Sequence, residues 1–216
     1  GNQWYDNYQQ RTVYCVEDPT VVSVGVEGSS AGKMSPVNVW TTTLGDEMKL
    51  ANNFKSKVIS LAIKDRGCIL PGGHSANAAY WYDITSGNWI TSTYYMNSLP
   101  AWVNTFNDKK IVDGYYEKGW SLLYSENSYT QSTDDDKPYE TKAFGQKFPY
   151  DLKKYVGKDY GKITTTPMGN SMTVEFAKMA LQAEQLGADN ITDFLAVSFS
   201  SPDIIGHSFG PNSVES

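Results

Sequence analysis

An aspartate and a histidine follow a buried strand near the C-terminal end of the chain. Residues 194–199 read FLAVSF, an apolar run typical of a parallel strand covered on both faces. The next residues, SSPDIIGHSFGPNS, place Asp203 and His207 four positions apart. Carboxylate oxygen and imidazole nitrogen suit Zn²⁺, which usually has three protein ligands in a catalytic site. Because ligands of open α/β sheets collect beyond the carboxyl ends of strands, this position favours half of a metal site.

Other interpretations of this segment stay open. Pro202 and Gly206 disfavour a regular helix, so we expect a curled loop to bring the carboxylate and the imidazole together. The alternative is an Asp and a His with structural roles only. The letters GHSFG also match the G-x-S-x-G nucleophile elbow, but Ser208 lies well beyond the strand and no histidine follows it. The elbow is therefore the weaker interpretation.

Two cations follow a second apolar strand, which is predicted over residues 57–63. If the extended geometry continues beyond it, Lys64 and Arg66 lie on the same face of the chain. Like charges held side by side repel each other unless an anion lies between them. Phosphate suits this position, because Arg offers a bidentate fork and Lys a mobile point charge. The alternative is a solvated strand end with Asp65 as a local counter-ion.

Helical patterns precede both strands. The sequence Thr43-Leu44-Gly45-Asp46 predicts a capping box, with an apolar stripe at Leu44, Met48 and Ala51. Residues 173–186 predict a second helix, which Gly187 ends; its apolar stripe consists of Phe176, Ala180, Ala183 and Leu186. Two units of a helix followed by an apolar strand predict an α/β fold, with a parallel sheet flanked by helices.

The middle of the chain is rich in aromatic residues. Residues 80–129 contain thirteen of them, and AAYWYD-ITSG-NWITS predicts a β-hairpin. We expect a cap or insertion over the sheet, in which most aromatic side chains pack and some line a substrate entrance. The expected division is residues 1–67 for the first part of the core, 68–166 for the cap and 167–216 for the second part of the core.

Composition excludes several classes of function. The chain has 216 residues and a formal charge of −6, and its 18 Lys and Arg residues form no run, so we expect no nucleic-acid partner. No run approaches the ~20 apolar residues of a membrane span, so we expect no membrane insertion. Cys15 and Cys68 predict two buried free thiols, although a single disulfide would suit an exported protein.

Two further motifs are weak. Residues 28–34, GSSAGKM, resemble a phosphate-binding P-loop, but their glycines are one residue too close and Met34 replaces the metal-binding hydroxyl. A surface loop is the better interpretation. The acidic run at residues 134–136 predicts a solvated loop; calcium binding is the weaker alternative, because the run lacks EF-hand spacing.

The chain resembles the alkaline phosphatase superfamily, and most closely the phosphate-irrepressible alkaline phosphatases of bacteria, near relatives of the type I phosphodiesterases. The blocks that carry the resemblance span essentially all 216 residues: GNQWYD, TVYCVED, GKMSP, TTTLGDEMKLA, KDRG, GGHSANAAYWYD, GNWITSTYYM, LPAWVNTFN and SSPDIIGHSFGPNSVE. The resemblance implies an alkaline-phosphatase-like fold. It also implies that Asp203 and His207 bind one zinc of a two-zinc site, while Lys64, Arg66 and the Asn2 amide contact the phosphoryl group.

The same resemblance implies what lies outside the chain. The nucleophilic Thr and one Asp ligand are expected before Gly1, and the remaining zinc ligands after Ser216. His74 is expected to be a packed or hydrogen-bonded residue rather than a ligand. We therefore expect an inactive fragment of a periplasmic or exported phosphatase that hydrolyses small phosphate monoesters through a phospho-Thr intermediate. The alternatives are a phosphodiesterase or nucleotide pyrophosphatase on the same fold, and a binding module without chemistry.

Overall fold

The computed structural model describes the backbone of residues 1–216 and every side chain except those of residues 141 and 142. The strands are β1 (Gln3–Asp6), β2 (Arg11–Tyr14), β3 (Ser23–Val24), β4 (Val58–Ala62), β5 (Ala78–Asp83), β6 (Asn88–Ser92) and β7 (Phe194–Ser198). The α-helices are α1 (Leu44–Ala51), α2 (Asp65–Gly72), α3 (Ala101–Asp108), α4 (Ile111–Lys118), α5 (Pro167–Ala183) and α6 (Ser201–Phe209). Short 3₁₀ helices span Glu126–Ser128, Pro138–Lys142, Lys153–Tyr155 and Tyr160–Thr165.

The main sheet has the strand order β3-β6-β5-β4-β7 in the described residues. Strand β4 is parallel to both β5 and β7, whereas β6 is antiparallel to β5. The predicted α/β class is therefore confirmed. In the β4–β7 register Ala62 lies opposite Ser198, so the carboxyl ends of these two strands lie side by side. The segments that carry the predicted site residues thus begin at the same edge of the sheet.

The aromatic hairpin forms as predicted, but its expected place over the sheet is wrong. Strands β5 and β6 are members of the main sheet, and all six residues of β5 are buried. A strand that is apolar on both faces is most stable inside a sheet that is covered on both sides, because its side chains are buried there and its backbone groups are paired. This explains the position of β5 within the main sheet. The domain limits at residues 67 and 166 remain a prediction.

Helix α5 completes the core beneath this hairpin. It begins at Pro167 rather than at the predicted residue 173, because proline suits the first turn, where no backbone N–H partner is needed. The ring of Phe176 stacks on Trp89, with 4.2 Å between ring centroids, and meets Tyr80 edge to face. These aromatic residues fill the core, as their packing role predicts.

Helix α1 has the predicted capping box between Thr43 and Asp46, but the predicted apolar stripe is not its buried face. Leu44 is 69% exposed, while Asp46 and Lys49 are buried. Asp46 turns inward because its carboxylate accepts hydrogen bonds from the backbone N–H and the hydroxyl of Ser75, at 2.8 and 2.6 Å. Gly45 allows the close approach of the helix, since a Cβ there would lie 2.8 Å from Val58 Cγ1.

Several smaller expectations are also settled. His74 is held by hydrogen bonds, with Nε2 2.8 Å from the carbonyl oxygen of Val39, and Cys15 and Cys68 are buried free thiols. Residues 28–34 form a loop with turns, as expected, instead of the strand–loop–helix unit of a P-loop. Among the described helices, none is long and apolar enough to cross a bilayer.

Candidate functional site

Asp203 and His207 lie on one face of helix α6, which corrects the prediction of a curled loop. Pro202 stands in the first turn, where the missing N–H has no helical partner, so it does not prevent the helix. Gly206 costs some helical stability but does not break a short helix whose Ile205 and Phe209 are buried. Residues four apart on a helix are neighbours, so the helical conformation alone brings the side chains of Asp203 and His207 together.

The Asp203 carboxylate lies between an imidazole and an ammonium group. Its Oδ1 is 3.4 Å from His207 Nε2, and its Oδ2 accepts a hydrogen bond from Lys64 Nζ. This hydrogen bond and the charge of Lys64 lower the pKa of Asp203, so the carboxylate is ionised and ready to bind a cation. The side chain of His207 is 82% exposed and borders an open cleft of about 430 Å³.

This pair of donors fits zinc. Two ligand atoms that are each 2.0–2.1 Å from a tetrahedral zinc lie about 3.3 Å from each other. The Oδ1–Nε2 separation of 3.4 Å is close to that value. A zinc site needs at least one further protein ligand. In the described part of the chain, no third His, Cys, Asp or Glu side chain forms a ligand cluster with Asp203 and His207.

Lys64 and Arg66 do not extend strand β4, which corrects the second prediction. Helix α2 begins at Asp65, so Lys64 is its extended N-cap residue and Arg66 lies in the first helical turn. Gly67 lets this turn approach the sheet, since a Cβ there would lie 3.0 Å from Ala62 Cβ. The described contacts of the two cations consequently differ: Lys64 pairs with Asp203, while Arg66 turns to Tyr14.

Tyr14 is the residue that sequence reasoning missed. Its hydroxyl accepts a hydrogen bond from Arg66 Nη1 at 3.1 Å and donates one to Asp65 Oδ1 at 2.6 Å. Burial, followed by the hydrogen bond to Asp65, raises the pKa of Tyr14 to about 12. The bond to Tyr14 in turn raises the pKa of Arg66. No local spacing signals this contact, because the two residues belong to separate parts of the sequence.

Asn2 lies at the open end of the β1–β2 hairpin, next to this network. Its carbonyl oxygen accepts a hydrogen bond from the backbone N–H of Cys15 at 2.9 Å, and the following residue, Gln3, pairs with Tyr14. Asn2 is exposed. The hairpin therefore holds Asn2 close in the fold to the tyrosine that contacts Arg66, although the described hydrogen bonds do not join the Asn2 side chain to either cation.

The nucleophile-elbow interpretation of Ser208 is excluded. Gly206 and Ser208 lie within helix α6, and Ser208 Oγ donates a hydrogen bond to the carbonyl oxygen of Ile204 at 2.9 Å. An elbow serine instead stands on the sharp turn between a strand and a helix. Ser208 is thus a helical residue bonded to its own backbone.

Comparison with models of protein families shows to which family the chain belongs. The family model of type I phosphodiesterases and nucleotide pyrophosphatases matches residues 1–216. The chain belongs to this family. Alkaline phosphatase PhoV of Synechococcus elongatus is 54% identical over 218 residues, which are 100% of this chain and 40% of that protein.

Solved structures give the same result. The crystal structure of the wild-type alkaline phosphatase PafA matches with a TM-score of 0.96 and 45% identity, over 100% of this chain and 42% of that one. A PafA variant with a Thr, an Asn, a Lys and an Arg substituted matches with a TM-score of 0.96, 44% identity and the same coverage. The expected alkaline-phosphatase-like fold is confirmed, and the chain spans about 40% of the length of the relatives it matches.

Proposed function

We propose that residues 1–216 are part of a zinc-dependent alkaline phosphatase that hydrolyses small phosphate monoesters through a phospho-Thr intermediate. The full-length protein of this proposal, with the length that the relatives have, is the parent enzyme. The observation that carries the proposal is the meeting of Lys64, Asp203 and His207 at the carboxyl ends of β4 and β7, with an Oδ1–Nε2 separation that fits zinc.

In this proposal Asp203 and His207 hold one of two zinc ions. Helix α6 fixes both side chains on one face, and the neighbouring charge of Lys64 keeps Asp203 ionised. When bound, the zinc ions lower the pKa of the attacking hydroxyl and stabilise the leaving oxygen. The attacking Thr lies outside residues 1–216, so the chain contributes metal ligands and phosphate contacts to the reaction.

Arg66, Lys64 and Asn2 are proposed to bind the phosphoryl oxygens. Arg66 is pre-oriented by Tyr14, which occupies one Nη1 hydrogen and leaves the rest of the guanidinium for the substrate. Lys64 forms an ion pair with Asp203, so its positive charge lies beside the proposed metal ligands. In support, the Asn, Lys and Arg substituted in the PafA variant are separated by the same numbers of residues as Asn2, Lys64 and Arg66.

The runner-up function is hydrolysis of phosphodiesters or pyrophosphates, which the name of the family includes. The two cations favour monoesters, because a dianionic phosphate gains more from a second positive charge than a diester anion does. We further propose that the parent enzyme is exported to the periplasm.

The test is a comparison of kcat/KM for an aryl phosphate monoester and a methyl aryl diester, measured on the purified parent enzyme with zinc. The proposal expects the monoester to be the better substrate and activity to vanish when zinc is removed and to return when it is restored. A preference for the diester would support the runner-up. Absence of hydrolysis of both esters would leave a binding module as the better account.

A further inference from the structure

Three carboxylates from separate segments meet near the C-terminal residues of the chain. Asp135 lies in the acidic run, Glu140 in the 3₁₀ helix Pro138–Lys142, and Glu215 beyond α6. One oxygen from each lies within 4.8 Å of the other two. Glu140 is fully buried and Glu215 is 8% exposed. Residues 134–136 form the expected loop, in which the Asp134 side chain is 97% exposed and Asp135 is half-buried.

The described hydrogen bonds do not satisfy this cluster. Glu140 Oε2 accepts from the backbone N–H of Lys137 at 2.8 Å, and Glu215 Oε1 accepts from the Tyr150 hydroxyl at 2.5 Å. Glu140 Oε1 and Glu215 Oε2 are buried without a partner in the described structure. Asp135 Oδ2 accepts from the backbone N–H of Phe148 at 3.1 Å. The other oxygen of Asp135, Oδ1, accepts from the backbone N–H of Asp136 at 2.9 Å. Glu140 and Glu215 are thus each hydrogen-bonded at one oxygen, and the second oxygen of each is buried without a donor among the described residues.

Among the described ion pairs, Lys137 does not pair with the cluster. Lys137 Nζ lies 3.8 Å from Asp134 Oδ2, and so is directed to the exposed neighbour. Buried carboxylates are stable when they are paired with a cation or coordinate a metal. The site therefore favours a bound positive charge.

We infer that Asp135, Glu140 and Glu215 bind a calcium ion. Carboxylate oxygens are hard donors, and calcium accepts such ligands in irregular, mono- or bidentate arrangements. Zinc prefers nitrogen and sulfur donors, which this cluster lacks, and magnesium keeps several waters of its own. A calcium ion here joins the acidic run to Glu215, which is remote in sequence, and so stabilises the fold by binding only the native state.

Terbium luminescence tests this inference directly, because Tb³⁺ replaces Ca²⁺ at oxygen sites and receives energy from nearby aromatic rings. Tyr150 is hydrogen-bonded to Glu215, and the Trp120 ring lies 5.4 Å from the Tyr150 ring, so a bound terbium ion is next to two donors. The parent enzyme is freed of calcium, kept replete in zinc, titrated with Tb³⁺ and then with Ca²⁺. We expect sensitised emission that Ca²⁺ displaces at concentrations below about 1 mM.

Variants assign the signal to the cluster. Glu140→Gln and Glu215→Gln should each weaken Tb³⁺ and Ca²⁺ binding at least about tenfold, because each removes one charged ligand. Asp134→Asn is the matched control from the same acidic run and should bind both ions normally. Circular dichroism checks that the variants are folded, and calcium should raise the unfolding temperature of the wild type and the control only.

Two results would overturn the inference. One is a wild-type enzyme whose emission and unfolding temperature do not respond to calcium up to about 1 mM, which would leave a shared proton as the neutralising charge. The other is a calcium response that Glu140→Gln and Glu215→Gln, both folded, leave unchanged. Displacement of terbium by zinc in preference to calcium would also contradict the assignment of the ion.

Discussion

Lys64 Nζ donates a hydrogen bond to the carboxylate of Asp203 across the ends of two neighbouring parallel strands. The contact joins a residue proposed to bind phosphate to a residue proposed to bind metal. Since the lysine also lowers the pKa of Asp203, it favours the ionised carboxylate that a metal requires. The two halves of the proposed site are therefore coupled through one ion pair.

The histidines of the chain provide a matched pair of variants. His207→Ala removes a proposed zinc ligand, so the parent enzyme should lose about one zinc per chain and at least about 100-fold in kcat/KM for a monoester. His74→Ala removes the described side-chain contacts with Val39 and Asp46, and should retain both metals. Metal content by mass spectrometry and an aryl-phosphate assay check this; equal zinc in the two variants would remove His207 from the site.

The arginines offer a second matched pair. Arg66→Ala should lower kcat/KM for a monoester at least about tenfold, since a charge-assisted hydrogen bond contributes about 1.5–3 kcal/mol. The loss for a diester should be smaller, and inorganic phosphate should inhibit less well. Arg11→Ala, which removes the partly exposed pair with Glu17 and a hydrogen bond to the carbonyl oxygen of Thr12, should change these constants little. An unchanged monoester rate in Arg66→Ala would mean that this cation does not contact the substrate.

Tyr14 is expected to act by positioning Arg66. Tyr14→Phe should reduce kcat/KM for a monoester by about two- to tenfold, the equivalent of one neutral hydrogen bond, without loss of zinc. The matched control is Tyr5→Phe, since Tyr5 lies on the paired strand and its hydroxyl contacts only Gln10 among the described bonds. Equal rates for Tyr14→Phe and wild type would show that Arg66 is held by other contacts.

The raised pKa of Tyr14 gives this prediction a pH dependence. The neutral hydroxyl is favoured in the folded state, so its contribution is fully present below the ordinary tyrosine pKa of 10.0 and is lost as pH rises towards about 12. The difference in unfolding free energy between wild type and Tyr14→Phe should therefore be constant up to pH 10.0 and shrink above it. A difference that grows with pH would contradict the assigned hydrogen bonds.

Asp46 is expected to stabilise the fold rather than the reaction. Burial raises its pKa, but hydrogen bonds from Ser75, His74 and Thr43 outweigh burial and lower it. Asp46→Asn should therefore reduce the free energy of unfolding by about 3 kcal/mol, because buried donors lose a charged acceptor. Glu47→Gln, an exposed change on the same helix, is the control in denaturant unfolding.

The lowered pKa of Asp46 determines how its contribution to the free energy of unfolding changes with pH. The stabilisation is present above the unfolded pKa of 3.8 and is lost as pH falls through the lower value of the folded state. The stability difference between wild type and Asp46→Asn should therefore be constant near neutral pH and decrease below pH 3.8. A difference that does not change with acid would show that Asp46 is not ionised in the folded protein.

Local pattern predicted the elements better than it predicted their surroundings. The apolar runs of β4 and β7 and the capping box of α1 were visible because backbone hydrogen bonding and burial follow short-range periodicity. The inward turn of Asp46 was not visible, since its partners Ser75 and His74 lie in a turn that packing alone brings close.

The candidate site shows the same limit. The spacing of Asp203 and His207 predicts a pair of donors. It does not predict the helix that brings them together, because Pro202 disfavours a helix everywhere except in the first turn, where it stands in α6. The contact of Arg66 with Tyr14, and the meeting of Glu140 with Glu215, join segments that are far apart in the chain. Such contacts depend on topology, which single-sequence periodicity does not encode.

Anomalous diffraction at the zinc edge, from crystals of the parent enzyme grown with zinc, tests the central claim most directly. We predict an anomalous peak about 2.0–2.2 Å from both a carboxylate oxygen of Asp203 and Nε2 of His207. Zinc peaks confined to other residues, with Asp203 and His207 free of metal, would contradict the proposed site.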